Sequence, residues 1–258
     1  MFCTRRGKIK NIKVLLLVIY HVKNWFTFIL DSLKFTNKKY IIYKMRDSLK
    51  YYVRAKTTDR GIVNTVVIKD EYKLRKLNLR NSTIIDIGGQ NGYFSVFASK
   101  YANNIYTYEP IPDNFKIILK NIDLNNLSDK VYPFNLAVSD KEETLKIFLS
   151  KNNTGGHSIY GQGNNFIEVK TVTLSKIFEK NKIEKCDLLK MDVEGAEYNI
   201  LYNLPIKYFE KILNIRLEVH DIDNIKKNHK HLIKFLKDKN YMITFNKPIL
   251  FAQMISRK

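Results

Sequence analysis

The sequence predicts an α/β protein built on an open, mostly parallel sheet with helices on both faces. Three observations carry that expectation. Short apolar runs alternate with helix-length amphipathic stretches from Thr83 onward, the pattern of βαβ units. The first of those runs ends in an acid and a glycine-spaced turn, Asp86-Ile-Gly88-Gly89-Gln90-Asn91-Gly92, which leads directly into a helix. The last two runs, "YMITFN" and "ILFAQMI", are separated only by Lys247-Pro248. So short a connection makes a hairpin and hence an antiparallel closing strand.

The elements follow in order. "TIIDIG" is the first core strand, 92–101 a helix, "NIYTYEP" a strand, 113–124 a helix and "VYPFNLAVS" a strand. "TLKIFLS" and "FIEVKTVT" form an antiparallel excursion around a polar, glycine-rich loop at 152–165; loops of that length in compact domains are functional or disordered. "LSKIFEKN" is helical, "CDLLKMDVEG" a buried strand, 195–204 a helix, "ILNIRLEVH" a strand and 224–239 a helix. Upstream, "YIIYKM" and "NTVVIKD" are strand-like runs around a "DRG" turn, followed by a short helix at 70–79. The expected division is a basic helical extension or cap over 1–79 and one cofactor-binding domain over 80–258.

Size and charge set bounds. At 258 residues, 45% apolar, the chain can bury one sizeable core. The net charge of +20 is uneven: residues 1–80 hold 20 Lys+Arg against 5 Asp+Glu, and the remaining residues 25 against 20. A basic N-terminal third could meet a membrane surface, an anionic glycan or nucleic acid; general enrichment in Lys, Asn, Ile and Tyr is the plainer explanation. "VLLLVIY" at 14–20 follows five basic residues like the start of a signal sequence, but no small-residue cleavage site follows. His21, Lys23 and Asn24 break the apolar run, which favours an amphipathic helix over a membrane span. Such a helix packs on the domain or lies on a membrane through residues 1–35. Two cysteines, Cys3 and Cys186, give no disulfide framework and fit a reducing, cytoplasmic setting.

The glycine turn restricts the ligand. Gly88 and Gly92 permit a tight strand-to-helix turn and close approach of a ligand to the backbone. Glu109, 21 positions after Gly88 at the tip of the next strand, is spaced to accept hydrogen bonds from a ribose. A dinucleotide would need G-x-G-x-x-G to seat its pyrophosphate, and Asp86 would repel that group. Asp86 could instead orient an ammonium, directly or through water. S-adenosyl-L-methionine has an ammonium, a carboxylate and a ribose but no phosphate, so the residues favour it over NAD.

A second constellation, "LLKMDVEGAE", sets Asp192, Glu194 and Glu197 at the end of a buried strand, where open α/β sheets bind ligands. Asp192 and Glu194 share a face of an extended segment, and an acidic helix N-terminus stabilised by the helix dipole is the alternative, above all for Glu197. Glu218 and His220 close the next strand, again two apart.

With these motifs the chain resembles the FkbM-type S-adenosylmethionine-dependent methyltransferases. The resemblance rests on "IIDIGGQNGYFS" (84–95), "YEPIPDNF" (108–115), "LAVSD" (136–140), "LLKMDVEGAEYNIL" (188–201) and "RLEVH" (216–220), and covers roughly residues 60–220. The family's turn reads D-x-G-A-N-x-G; Gln90 stands here in place of the usual Asn. The resemblance implies a class I, Rossmann-like methyltransferase fold with a seven-stranded sheet. It further implies a transferase of one-carbon groups that O-methylates an alcohol on a sugar, glycan or natural-product scaffold. Asp86, Gly88 and Gly92 would then hold the methionine end, Glu109 the ribose and Ala137 the adenine, with Gly89, Gln90 and Asp192 also cofactor-binding.

The candidates for the acceptor's base are His220, Asp192, Glu194 and Glu218, with His157 arriving from the 152–165 loop; a neutral histidine suits proton abstraction near pH 7. Asp192 and Glu218 could share a metal, but their spacing gives no clear ligand cluster, so no metal is expected. Three other classes stay open: an RNA 2′-hydroxyl methyltransferase, a dinucleotide oxidoreductase and a non-catalytic membrane-associated module. The five prolines never form Pro-Pro, and neither cysteine suits a nucleophile, which argues against base methylation of nucleic acid.

Overall fold

The computed structural model of the protein describes residues 5–149 and 165–255, with side chains from residue 12 onward. His157 and all but the last residue of the 152–165 loop lie outside the described residues.

The chain opens with α1 (Arg5–His21), α2 (Trp25–Ser32) and a hairpin of β1 (Tyr40–Lys44) and β2 (Lys50–Arg54). A short α3 (Asp59–Ile62) runs into a π-helical turn over Val63–Ile68. The αβ core follows: β3 (Thr83–Ile87), α4 (Tyr93–Ala98), β4 (Asn104–Tyr108), α5 (Pro112–Leu124) and β5 (Val131–Phe134). Next come β6 (Ala137–Ser139), β7 (Thr144–Phe148), β8 (Phe166–Thr173), α6 (Leu174–Lys180) and β9 (Leu188–Met191). The chain ends through α7 (Glu197–Tyr202), α8 (Ile206–Phe209), β10 (Asn214–Glu218), α9 (His229–Asp238), β11 (Tyr241–Asn246) and β12 (Ile249–Met254).

Seven strands form the main sheet in the order β11-β12-β10-β9-β3-β4-β5. β5, β4, β3, β9 and β10 are parallel; β12 pairs antiparallel with both β10 and β11. The sheet's period of two divides the core. Ile84 of β3 packs with α4 and the N-terminal segment, whereas Ile85 and Ile87 face α6, α7 and α9. From β3 the chain builds outward through β4 and β5, then returns to β9 on the other side of β3. The crevice between the C-terminal tips of β3 and β9 is therefore a topological switch point, where sheets of this kind bind ligands.

Four sequence expectations require correction. "NTVVIKD" is helical rather than a strand: Val63, Val66 and Val67 are buried at helical spacing, and the β-branched composition concealed that period. The helix expected over 70–79 reduces to one 3₁₀ turn, Leu74–Lys76, because Asp70 and Lys73 take left-handed φ values of 51° and 56°. "VYPFNLAVS" divides into β5 and β6, which belong to different sheets. Asn135 sits at the break and donates to the carbonyl oxygens of Glu109 and Pro110 at 2.8 and 3.0 Å. Finally α9 begins only at His229, where Asn228 Oδ1 accepts from the N–H groups of Lys230 and His231.

The N-terminal segment contains a β-hairpin as well as helices, and that hairpin is fastened to the glycine turn. Arg54 pairs with fully buried Asp59 at 2.9 Å and donates to Asn91 Oδ1 at 2.9 Å and Asn114 Oδ1 at 3.0 Å. Asn121 of α5 donates to the Asn91 carbonyl at 2.9 Å and accepts from Tyr52 N–H at 2.7 Å. Asn91, 0% exposed, thus links the turn, the hairpin and α5.

Candidate active site

A cavity of about 390 Å³ opens over the tips of β3, β4, β9 and β10, within the range of small-molecule sites. Gly88, Gln90 and Glu109 line one end; Asp192, Glu194 and Glu218 line the other. Ala137 and Ser139 of β6 contribute a wall, and Thr58, Ile62, Thr65 and Glu71 close it from the N-terminal segment.

The first end is made by the turn. Gly88 has φ +74°, and a Cβ there would overlap the carbonyl of Asp192, so only glycine lets the turn pass this close to the end of β9. Gly92, at φ +76°, stands immediately before α4. Gly89 donates its N–H to Tyr108 O at 2.9 Å and, like Gly92, shapes the turn without lining the cavity. Glu109 is 4% exposed. Its Oε2 accepts from Gln90 N–H at 2.8 Å and its Oε1 from Ile111 N–H at 2.9 Å. Burial pushes its pKa up to about 7 despite those hydrogen bonds.

Asp86 departs from its expected role. It is fully buried and does not line the cavity. Its Oδ2 accepts from Ser95 Oγ at 2.6 Å and Thr107 Oγ1 at 3.2 Å, and its Oδ1 lies 3.2 Å from Lys190 Nζ. The carboxylate is turned into the protein, where it positions the turn rather than meeting a ligand's ammonium. Lys190, missed in the sequence, also donates to the Gly88 carbonyl at 2.7 Å. Burial alone would lower its pKa, but Asp86 and Asp192 outweigh that and hold it above the usual lysine value. The available signal was a lysine inside the apolar strand "LLKMD".

The second end is a cluster of acids around one imidazole. His220 lies behind the cavity-lining carboxylates: its Nε2 is 3.4 Å from Glu194 Oε2 and 4.0 Å from Glu218 Oε1. Its Nδ1 is 3.4 Å from Glu197 Oε1. Glu197, 0% exposed, accepts from His220 N–H at 2.8 Å and from Gly195 N–H at 2.9 Å. It therefore ties two loops together, a role its place at a helix start did not reveal. Burial would lower the His220 pKa, but Glu197, Glu194 and Asp192 push it up to about 9. At neutral pH the imidazole is a cation, which corrects the expectation of a neutral histidine base. Burial raises Glu194 to about 7, with His220 opposing and Asp192 and Glu218 reinforcing the shift. Burial and then Asp192 also raise Glu218, and burial raises Glu71 to about 7.

Ligand atoms of Asp192, Glu194 and His220 lie within 4.8 Å of one another, a spacing that a metal ion could bridge. Folding brings these donors together where sequence spacing gave no cluster. Of the residues singled out in the sequence, Gly88, Gln90, Glu109, Ala137, Asp192, Glu194 and Glu218 line one cavity, and His220 supports it.

Strand order, the glycine turn and an acid at the tip of β4 fit an α/β nucleoside-binding enzyme, and an acidic cluster adjoins them in the same cavity. The chain belongs to the methyltransferase FkbM domain family, whose family model matches residues 86–243. It is an S-adenosylmethionine-dependent methyltransferase with a class I fold. It is 24% identical over 249 residues to methyltransferase sdnD of Sordaria araneosa, covering 82% of this chain and 95% of that protein. It is also 24% identical over 136 residues to the hexuronic acid methyltransferase AglP of Haloferax volcanii, covering 52% of this chain and 54% of that protein. Among solved structures, it is similar to an FkbM methyltransferase of Methylobacillus flagellatus, with a TM-score of 0.45 and 12% identity over 76% of this chain and 53% of that one.

The site fits the cofactor. Gly88, Gln90 and Glu109 line the same cavity end, which gives a ligand a glycine backbone and a carboxylate at the tip of β4.

Proposed function

We propose that the protein methylates a hydroxyl of a sugar, glycan or natural-product-like acceptor. The carrying observation is Glu194, a cavity-lining carboxylate whose pKa of about 7 suits proton abstraction at neutral pH. The hexuronic acid methyltransferase among the relatives supports a sugar acceptor.

When bound, the cofactor supplies a methyl group already activated on a cationic sulfur. Gly88, Gln90 and Glu109 would hold it, Glu109 toward the ribose and Ala137 toward the adenine. Glu194 would take the acceptor's hydroxyl proton, leaving the oxygen's electron pair free for the methyl group that the cofactor would supply. Asp192 and Glu218 orient the acceptor's other hydroxyls. Protonated His220 holds Glu194 in place and offsets part of the mutual repulsion of the carboxylates. The N-terminal wall, through Thr58, Ile62 and Thr65, excludes water from the transfer.

The test is incubation of the protein with methyl-labelled S-adenosylmethionine and cell-envelope extract, then mass analysis of the products. Label in an alkali-stable methyl ether on a carbohydrate or small alcohol is expected. Label on RNA would favour the 2′-hydroxyl alternative, and alkali-labile label would mark an ester and overturn the hydroxyl assignment.

A further inference from the structure

From Ile12 onward, α1 is apolar on the side it turns to solvent. Val18 and Val22 are 2% and 0% exposed and face the domain. On the opposite side Ile12, Leu16, Leu17 and Tyr20 are 57%, 60%, 38% and 72% exposed, with Lys13 among them. A helix lying on a domain in water normally shows a polar outer face. The same inversion continues beyond it: Phe26, Leu33 and Phe35 are exposed, Phe35 by 74%. The inner side is anchored, since Phe28 is buried and Asp31 accepts from Tyr43 Oη and from Lys56 N–H.

Charge accompanies the apolar side chains. Residues 1–50 carry twelve Lys or Arg and two acids, Asp31 and Asp47. Asp31 is 2% exposed, and Asp47 is paired with Lys100 at 2.6 Å. No acid in this stretch therefore remains to neutralise exposed Lys13, Lys23, Lys34, Lys38, Lys39 and Arg46. Beside Leu16 and Tyr20 an open groove is rimmed by Arg46 and by Arg75 and Lys100, the last two paired with Asp70 and Asp47. Among the described residues no helix is long and apolar enough to cross a bilayer.

We infer that α1, α2 and the turn after α2 form a docking surface for an anionic lipid membrane, lying in the interface without spanning it. Apolar side chains enter the headgroup boundary while the surrounding cations meet acidic headgroups. The charge complement selects the lipid, and the inverted face of α1 requires an apolar phase that a soluble polyanion does not provide.

The experiment is flotation of the full chain with phosphatidylcholine vesicles, with and without phosphatidylserine, at low and high salt. Wild type should float with the phosphatidylserine vesicles and lose most of that binding in high salt. Leu16→Glu combined with Tyr20→Glu should reduce the bound fraction about tenfold, while Leu16→Trp retains it. Lys34→Ser with Lys38→Ser and Lys39→Ser should abolish the preference for phosphatidylserine. Unchanged S-adenosylmethionine affinity in each variant reports an intact fold, because these side chains lie outside the cavity. Failure of wild type to float, equal binding to both vesicle types, or salt-dependent binding to RNA without vesicle binding would each overturn the inference.

Discussion

The two ends of the cavity surround their carboxylates with different partners. At the glycine turn each buried carboxylate has its own partners: Glu109 accepts two backbone N–H groups, and Asp86 has two hydroxyls and Lys190. At the tips of β9 and β10, Asp192, Glu194 and Glu218 crowd around the single imidazole of His220; burial raises Glu194 and Glu218 as it raises Glu109, but here neighbouring acids reinforce the shift, whereas at the turn backbone hydrogen bonds oppose it. A satisfied, preorganised end suits binding. An end with unbalanced titratable groups suits movement of a proton. The proposed division of labour between cofactor and acceptor rests on this difference in electrostatics as well as on the position of the strands.

The strongest way to break that comparison is Glu194→Gln. If the acceptor end moves the proton, kcat should fall by about 10²–10⁴ while S-adenosylmethionine affinity, measured by calorimetry, stays at the wild-type value. Retention of wild-type kcat would place the base elsewhere. Lys190→Met tests the other end through stability. It leaves Asp86 buried without its cation, and removing one partner of a buried pair costs about 3–5 kcal/mol. Denaturant titration should show that loss, and adding Asp86→Asn should recover part of it. A milder change, Glu109→Gln, keeps the side chain's shape and one acceptor oxygen. Cofactor affinity should weaken by about 1–2 kcal/mol through loss of charge-assisted hydrogen bonds, with kcat at saturation little altered. Equal cofactor affinity in wild type and variant would remove Glu109 from the ribose assignment.

The same contrast explains what the sequence revealed. Gly88, Gly92 and the acid at Glu109 act through backbone geometry within one βαβ unit, so their spacing was readable and the sheet followed from it. Asp86 was located correctly but given the wrong partner, because Lys190 lies on β9 and meets it only when β3 and β9 pair. The acids at Asp192, Glu194 and Glu218 were recognisable at strand ends, but the protonation of His220 depends on Glu197 at the start of α7. Thr58, Ile62, Thr65 and Glu71 had no sequence signal. They reach the cavity through Arg54, Asp59 and Asn91, a network that exists only after the hairpin docks on the glycine turn.

His220→Gln sharpens the comparison with the smallest expected effect. The positive charge of His220 favours ionised Glu194, so its removal should move the acid limb of the kcat profile from about pH 7 to higher pH. A one-unit move corresponds to about 1.4 kcal/mol, and activity well above the limb should persist. Stability gives an independent readout. The histidine's pKa is about 9 in the folded protein against 6.5 as the reference, so its contribution is complete below 6.5 and disappears as pH rises through 9. Glu109 and Glu194 have raised acid pKa values, and the folded state keeps their protons longer than the unfolded state. Their destabilising contribution therefore grows as pH rises from 4.5 and is largely complete by about 7. Between pH 7 and 9 the two kinds of group separate: wild type should lose stability across that window as His220 deprotonates, and His220→Gln should lose less, since only the upward-moved Glu194 still titrates there. Equal slopes in both proteins would mean that His220 is not the cation holding the acceptor end together.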